Sequence, residues 1–219
     1  MARSSHPKRF GVLGSGAVGQ VLAKGLAANG YEARIGSRSP AKLAKFSKST
    51  GIRSGSFQDV AAWGDAAILA VLGSAAVEAV DLASPANLEG KLVIDTTNPI
   101  SSDAPVDGVL RYFTGPNESL MERLQTAHPG IAFVKAFNSV GSALMVHPML
   151  SGGPPTMFYC GNDAGAKAEV GRLLEHLGWE GADMGTAVAA RALEPLAQLW
   201  CIPGFRGDDW MHAFRMLWP

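Results

Sequence analysis

Gly14, Gly16 and Gly19 stand in the spacing G-x-G-x-x-G directly after the apolar run at residues 10–13. A segment of helical character follows over residues 17–28, and Asn29-Gly30 closes it. In a dinucleotide-binding turn each of these glycines has its own task. Gly14 permits the sharp exit from the strand, Gly16 lets backbone approach a pyrophosphate, and Gly19 lets helix and strand pack closely. The pyrophosphate would sit at the helix N-terminus, facing free N–H groups and the positive end of the macrodipole. Gly14, Ser15, Gly16, Ala17, Val18 and Gly19 are therefore candidate cofactor-binding residues. Other α/β proteins carry glycine-rich turns too. The position between a strand and a helix is what gives this one its meaning.

Residues 31–36 read as the second strand, and the next side chains bear on cofactor choice. Where NAD is preferred, an Asp or Glu about 20 residues past the glycines accepts from the ribose 2′-hydroxyl. That position falls at Ser37, where no carboxylate would repel a 2′-phosphate. Ser37 can donate to such a phosphate, Arg38 can fork two N–H groups onto it, and Lys42 adds a point charge. The expectation is NADP rather than NAD, against a solvated basic turn shared with Arg34, Lys45 and Lys48.

These residues need strands and helices to hold them. Residues 40–48 read as a short basic helix, 52–56 as a strand and 57–63 as a helix. The continuous apolar run at 66–72 is that of a parallel strand buried on both faces. Its end, Val71 and Leu72, should floor the crevice beside the cofactor, with Ser74 capping the helix after it. A strand at 91–97 delivers Asn98 and Pro99, which either meet the nicotinamide ribose or carboxamide or form an ordinary Asn-Pro turn. Residues 101–117 carry no clear period and read as a loop at the pocket mouth or an insertion. After a helix at 118–127, a strand at 131–137 again ends in an amide, Asn138. Two such amides at neighbouring strand ends point Asn138 at the reacting end of the cofactor, the competing reading being an Asx-type cap.

Residues 156–161 read as a further strand, 163–177 as an amphipathic helix and 182–184 as a short strand, all extending one sheet. A last helix from Thr186 should kink or restart at Pro195, with Arg191 and Glu194 as a helix ion pair or dimer contact. The tail, from Leu196 through Trp200, Trp210 and Phe214 to Trp218, is apolar enough to cover the pocket or form a dimer interface.

The whole chain sets limits on these readings. Its 219 residues suffice for one large α/β unit with a smaller appendage, here 1–140 for the NADP-binding Rossmann part and 141–219 for the rest. A formal net charge of +0 gives no electrostatic case for nucleic acid or a membrane surface. No apolar run approaches the ~20 residues that span a bilayer. Residues 1–9 are basic, without a signal-peptide core, and read as a disordered leader. Cys160 and Cys201 should be buried free thiols in a reducing cytoplasm, and the His spacing predicts no metal.

The combination of Gly14-Ser-Gly-x-x-Gly19, Gly36-Ser37-Arg38 with Lys42, Thr97-Asn98-Pro99, Val134-Lys-Ala-Phe-Asn138, Tyr159-Cys-Gly-Asn-Asp163 and Ala190-Arg-x-Leu-Glu-Pro195 resembles the NADP oxidoreductases dependent on coenzyme F-420, a deazaflavin hydride carrier. The resemblance spans residues 10–200. It implies a doubly wound, parallel-sheet Rossmann fold with a small C-terminal helical extension, usually a homodimer. It also implies hydride transfer between NADP(H) and the deazaflavin, with Asn138 and Val140 near the acceptor ring. The Asn98-Pro99 stretch and the long 101–117 loop depart from the family's shorter forms.

Such a reaction asks for proximity and exclusion of water rather than for an acid and a base. The alternatives are an NADPH-dependent reductase of a small imine or carbonyl compound, and a non-enzymatic NADPH-binding redox sensor. The imine or carbonyl reading needs a proton donor, for which Asp95, Tyr112, His147 and Glu194 are the candidates, each better explained as structural.

Overall fold

The computed structural model describes residues 8–217 and 219. Strands and helices alternate from the start: β1 (Arg9–Leu13), α1 (Ala17–Ala28), β2 (Glu32–Gly36), a 3-10 turn into α2 (Ala44–Thr50), β3 (Arg53–Gly55), α3 (Phe57–Trp63) and β4 (Ala66–Leu69). Next come α4 (Ala76–Leu82), the short α5 (Pro85–Leu88), β5 (Leu92–Asp95), α6 (Leu120–Ala127) and β6 (Ala132–Lys135). The series ends with β7 (Thr156–Gly161), α7 (Ala164–His176), β8 (Glu180–Asp183) and α8 (Ala190–Gly207). Of the sequence-predicted 1–9 leader, residues 1–7 lie outside the described residues, while Arg9 already opens β1 and pairs with Asp65 at 2.6 Å.

All eight strands join one sheet in the order β3-β2-β1-β4-β5-β6-β7-β8. The chain winds outward from β1 to β3, crosses back, and continues from β4 on the other side, so the order reverses between β1 and β4. Every pairing is parallel except β6 with β7. The doubly wound sheet expected from the sequence is thus parallel throughout but for this one pairing. Between β6 and β7 the chain makes only loops and a 3-10 turn, without the crossover helix that a parallel return requires.

Alternation along the strands builds two cores. Val12, Ile68, Ile94 and Val134 face Leu22 and Leu26 of α1 and Leu173 of α7. Leu13, Leu69, Val93 and Phe133 face Val60, Val80, Leu124 and Leu193 from α3, α4, α6 and α8. With both faces covered, the central strands read as unbroken apolar runs, which is why their ends were overestimated. β4 stops at Leu69, and Leu72 is 78% exposed. β5 stops at Asp95 because its own carboxylate takes the Thr97 N–H. β6 stops at Lys135 because Phe137 turns into the left-handed region at φ 61°.

Helix α8 is continuous through Pro195, so it does not restart there, and it runs on through Pro203. Proline inside a helix costs about 3 kcal/mol. Anchors on both sides of Pro195 offset it. Arg191 forks onto Glu122 of α6, with Nη2 at 2.7 Å from Oε1 and Nε at 2.9 Å from Oε2. Trp200 is buried farther along the helix. The expected Arg191–Glu194 pair does not form, since Glu194 turns inward to Lys135.

Beyond α8 the tail folds back on that helix. Trp200 Nε1 donates to His212 O at 2.8 Å, and Thr156 N donates to Phe214 O at 2.9 Å. Trp218 lies outside the described residues. The expected cap from Ser74 is also absent: the residue preceding α4 is Ala75, and no side chain caps that helix.

Two tests follow from the packing. A Cβ on Gly19 would stand 2.0 Å from Gly14 O, whereas one on Gly16 meets nothing within 4 Å. Gly19→Ala should cost about 1–3 kcal/mol of strain and lower the melting temperature by about 2–12 °C. Gly16→Ala should melt close to wild type in the same circular-dichroism scans. The second test concerns acid. Hydrogen bonds from Arg191 hold the Glu122 carboxyl below its ordinary value of 4.5. A depressed carboxyl stabilises the fold above its unfolded pKa, and that contribution is lost as pH falls through the folded value. The melting-temperature gap between wild type and Glu122→Gln should therefore be full at neutral pH and close below about pH 4.

Candidate functional site

A crevice of about 1040 Å³ opens where the strand order reverses, at the carboxyl ends of β1, β2, β4 and β5. That is where open α/β sheets bind ligands. A cleft of about 1280 Å³ at the opposite edge, around Arg9, Glu32 and Asp65, is larger. It faces the amino ends of the strands, away from the glycine turn, and does not bear on cofactor chemistry.

The glycine turn forms one wall. Gly14 has φ 144° and would drive a Cβ to 2.0 Å from Ala70 O, so β1 can leave the sheet beside β4 only as glycine. Gly19 packs α1 against that same turn, and Gly16 presents open space to the crevice. The N-terminus of α1 has no side-chain cap and no acidic residue in its first turn. Its N–H groups and dipole can therefore face an anion. Gly14 and Gly19 thus shape the turn by close backbone contact, and Gly16 leaves room for a ligand to approach it.

The adjoining wall carries Ser37, Arg38, Ser39 and Lys42. Ser37 is 5% exposed and ties this wall to the turn, its Oγ donating to Ser15 Oγ at 3.3 Å and accepting from Ser39 N at 3.1 Å. Arg38 Nη1 lies 3.8 Å from Glu78 Oε2, both side chains being at least 60% exposed. So loose and solvated a pair is readily exchanged for a phosphate partner.

At the far end Val71, Leu72 and Asn98 line the crevice as expected. The two strand-end amides do meet. Asn98 Nδ2 donates to Asn138 O at 2.8 Å, and Asn138 Nδ2 donates to Asn98 Oδ1 at 3.1 Å and to Leu193 O at 2.8 Å. Asn138 is only 6% exposed and stands behind Asn98 rather than in the lining; its side chain makes no Asx-type cap. Pro99 and Val140 are likewise buried, and Gly19 lies under the turn.

Several lining residues were missed. Thr96 and Thr97 were read as strand, yet they line the floor. Gly73, expected with Val71 and Leu72 at the crevice floor, is in the lining. A Cβ there would fall 1.9 Å from Asn98 O, a close approach signalled only by a glycine after the apolar run. Ser101, Ser102 and Phe113 bring the 101–117 loop to the rim. Tyr112 Oη donates to Glu194 O, and Gln198 Nε2 to Leu110 O, each at 2.8 Å, strapping the loop onto α8.

The four candidate proton donors are engaged elsewhere. Burial pushes the Tyr112 hydroxyl pKa far above its ordinary range, and its proton is given to Glu194 O. His147 bonds Asn29 Oδ1 at 2.8 Å beyond the C-terminus of α1. Asp95 and Glu194 flank the fully buried Lys135, whose Nζ is 2.6 Å from Asp95 Oδ2 and 2.8 Å from Glu194 Oε1. Burial works against the Lys135 charge, but attraction from the two carboxylates prevails and raises its pKa.

Both cysteines are free thiols, and Cys201 is half-buried rather than buried. Burial pushes the Cys160 thiol up to about 12. Among the described residues no group of three or more His, Cys, Asp or Glu could hold a metal ion. No helix among them is long and apolar enough to cross a membrane.

Residues 9–99 match the family model described as NADP oxidoreductase, coenzyme F-420-dependent. The crystal structure of a candidate F-420-dependent NADP reductase from Arthrobacter sp. FB24 is 32% identical, covering 97% of this chain and 100% of that one with a TM-score of 0.89. The metalloreductase STEAP3 of Rattus norvegicus is 30% identical over 201 residues; they are 89% of this chain but 38% of that protein's length. A reductive aminase from Aspergillus terreus, solved with NADPH4, cyclohexanone and allyl amine, is 20% identical at a TM-score of 0.66 over 92% of this chain and 62% of that one, a likeness of fold alone. With the glycine turn and its crevice inside the matched segment, and a relative of known structure covered from end to end, the chain belongs to the NADP oxidoreductases dependent on coenzyme F-420.

Proposed function

We propose that the chain transfers a hydride between NADP(H) and a deazaflavin such as coenzyme F-420, or a flavin-like acceptor, in the crevice between β1 and β4. One observation carries the reading: a single cleft holds the open face of Gly16, the cluster Ser37, Arg38 and Lys42, and the Asn98 floor. In it the backbone of Gly14, Ser15, Gly16, Ala17 and Val18 takes the pyrophosphate at the α1 N-terminus. Ser37, Arg38 and Lys42 take the 2′-phosphate, which separates NADP from NAD. Val71, Leu72 and Asn98 border the nicotinamide half, with Pro99 and Asn138 supporting them from behind.

NADPH supplies the hydride in this reading. What the protein adds is proximity, about 3–3.5 Å between donor and acceptor carbons, and a floor from which water is kept out. Among the described residues Asp95, Tyr112, His147 and Glu194 are bonded away from the crevice. That fits transfer between two rings better than reduction of an imine or carbonyl, which needs a proton donor. Residues 1–140 carry the cofactor and 141–219 form the smaller part. The exposed Val188, Leu199 and Phe205 suit a homodimer contact, and the reaction suits the cytoplasm.

Purified protein given NADPH and, separately, coenzyme F-420, FMN and pyrroline-5-carboxylate should oxidise NADPH, followed at 340 nm, with the deazaflavin or flavin. Turnover with the pyrroline alone would move the reading to imine reduction, and tight NADPH binding without turnover to a sensor. Arg38→Ala should raise KM for NADPH about tenfold or more, the loss of a charge-assisted hydrogen bond. It should leave kcat within about threefold and narrow the preference over NADH.

A further inference from the structure

We propose that Lys135, locked between Asp95 and Glu194, is a positioning residue that sets Thr97 and Asn98, the crevice floor at the nicotinamide end. The proposal rests on the NADP reading of that crevice. Lys135 is fully buried; its Nζ donates to Thr97 O at 2.7 Å and is ion-paired with Asp95 Oδ2 at 2.6 Å and Glu194 Oε1 at 2.8 Å. Asp95 Oδ1 in turn accepts from Thr97 N at 2.9 Å and Thr97 Oγ1 at 2.7 Å. Every polar group of Thr97 is thus fixed from beneath, while the residue itself lines the crevice.

The neighbouring strand end is held from the same turn of α8. Leu193 O takes the Asn138 amide, which interlocks with Asn98. Asn138 is aimed by Phe137, a buried aromatic residue at φ 61°. A bulky residue persists in that region only where its surroundings over-determine it. Glu194 also accepts from the N–H groups of Leu120 and Met121 at 2.9 and 3.0 Å, so the α6 N-terminus braces the carboxylate. The loop at 101–117, which forms the rim, hangs from Glu194 O through Tyr112. Floor and rim therefore share one anchor.

Stability alone does not explain such an arrangement, since well-packed apolar residues often replace a buried ion pair at no loss. Directed bonds to Thr97 do explain it. An apolar trio would fill the space and leave the floor free to shift, and a shift of about 1 Å at a reacting centre can cost about 10²-fold in rate.

The test separates the two halves of the cofactor. 2′,5′-ADP probes the adenosine half alone, and the emission of bound NADPH reports the dihydronicotinamide. Thr97→Val removes the Oγ1 donor at nearly constant volume, Thr97→Ser restores it, and the combined variant Lys135→Met, Asp95→Asn, Glu194→Gln removes the charges. In Thr97→Val and the combined variant, Kd for 2′,5′-ADP should stay within about twofold of wild type. Emission of bound NADPH should move toward that of free NADPH. With the acceptor that wild type uses, kcat should fall about 10²-fold, and Thr97→Ser should recover both.

Unchanged emission and kcat in Thr97→Val would overturn the proposal. So would an equal loss of affinity for NADPH and 2′,5′-ADP, which marks a general structural role. If the combined variant does not fold, the two Thr97 variants decide. Failure of wild type itself to bind 2′,5′-ADP would overturn the cofactor reading, and this one with it.

Discussion

A lysine ammonium held between two carboxylates, all three side chains buried, is the constraint on which the second half of the sheet depends. Burying an ion costs several kcal/mol, and removing one partner of a buried pair costs about 3–5 kcal/mol. The arrangement is tolerable because the ammonium lies against two carboxylates and donates to Thr97 O. Asp95 comes from β5, Lys135 from β6 and Glu194 from α8, and the α6 N-terminus supplies two further N–H groups and the positive end of its dipole. Four elements must therefore stop at fixed places. The carboxyl ends of β5 and β6 cannot drift relative to one another, and the crevice floor above them inherits that rigidity.

The other half of the crevice rests on a steric constraint instead. Gly14, Gly19 and Ala70 bring three backbone segments to distances that exclude a Cβ, fixing the α1 N-terminus against the end of β4. The charges proposed to discriminate between cofactors are attached differently. Arg38 is more than half exposed and pairs loosely with Glu78, so it can reorient at little cost. Rigid backbone thus fixes the glycine wall of the crevice, exposed charges line its rim, and a buried ionic brace fixes the opposite end. Each part uses the interaction suited to its task.

What could be read in the sequence follows the same division. The glycine turn is a local signal, and α1 and α3 begin and end where periodicity placed them. Ser37, Arg38 and Lys42 line the crevice because their offset from the turn is set by one strand and one helix. The brace escaped because its members are far apart in the chain and each resembles something ordinary. Lys135 reads as a polar interruption of a strand, and Arg191 and Glu194 as a helix pair, whereas their partners lie 40 or more residues away. Strand ends failed for a related reason. Hydrophobicity continues past Leu69 to Leu72, whereas the last bond to β1 is from Ala70 N to Leu13 O, and only three-dimensional neighbours determine where a ladder stops. The antiparallel β7 and the unbroken α8 also depend on contacts that no local pattern encodes.

The brace also bears on what kind of chemistry the floor can support. Attraction from Asp95 and Glu194 outweighs burial and raises the Lys135 pKa above its ordinary 10.5. A raised lysine contributes its stability in full below the unfolded value and loses it only as pH climbs through the folded one. Around neutrality the ammonium is therefore a fixed charge rather than a proton donor. The same holds for Tyr112, whose proton is retained by burial and by its bond to Glu194 O. A Lys135 that keeps its charge and a Tyr112 that keeps its proton do not gate a reaction by proton supply. The floor can hold a ring still. Hydride transfer between two bound heterocycles asks for little more, because its barrier depends chiefly on distance and orientation. The ionisable residues that would first suggest acid–base catalysis are, by their burial and pairing, the ones that make a purely positional mechanism workable.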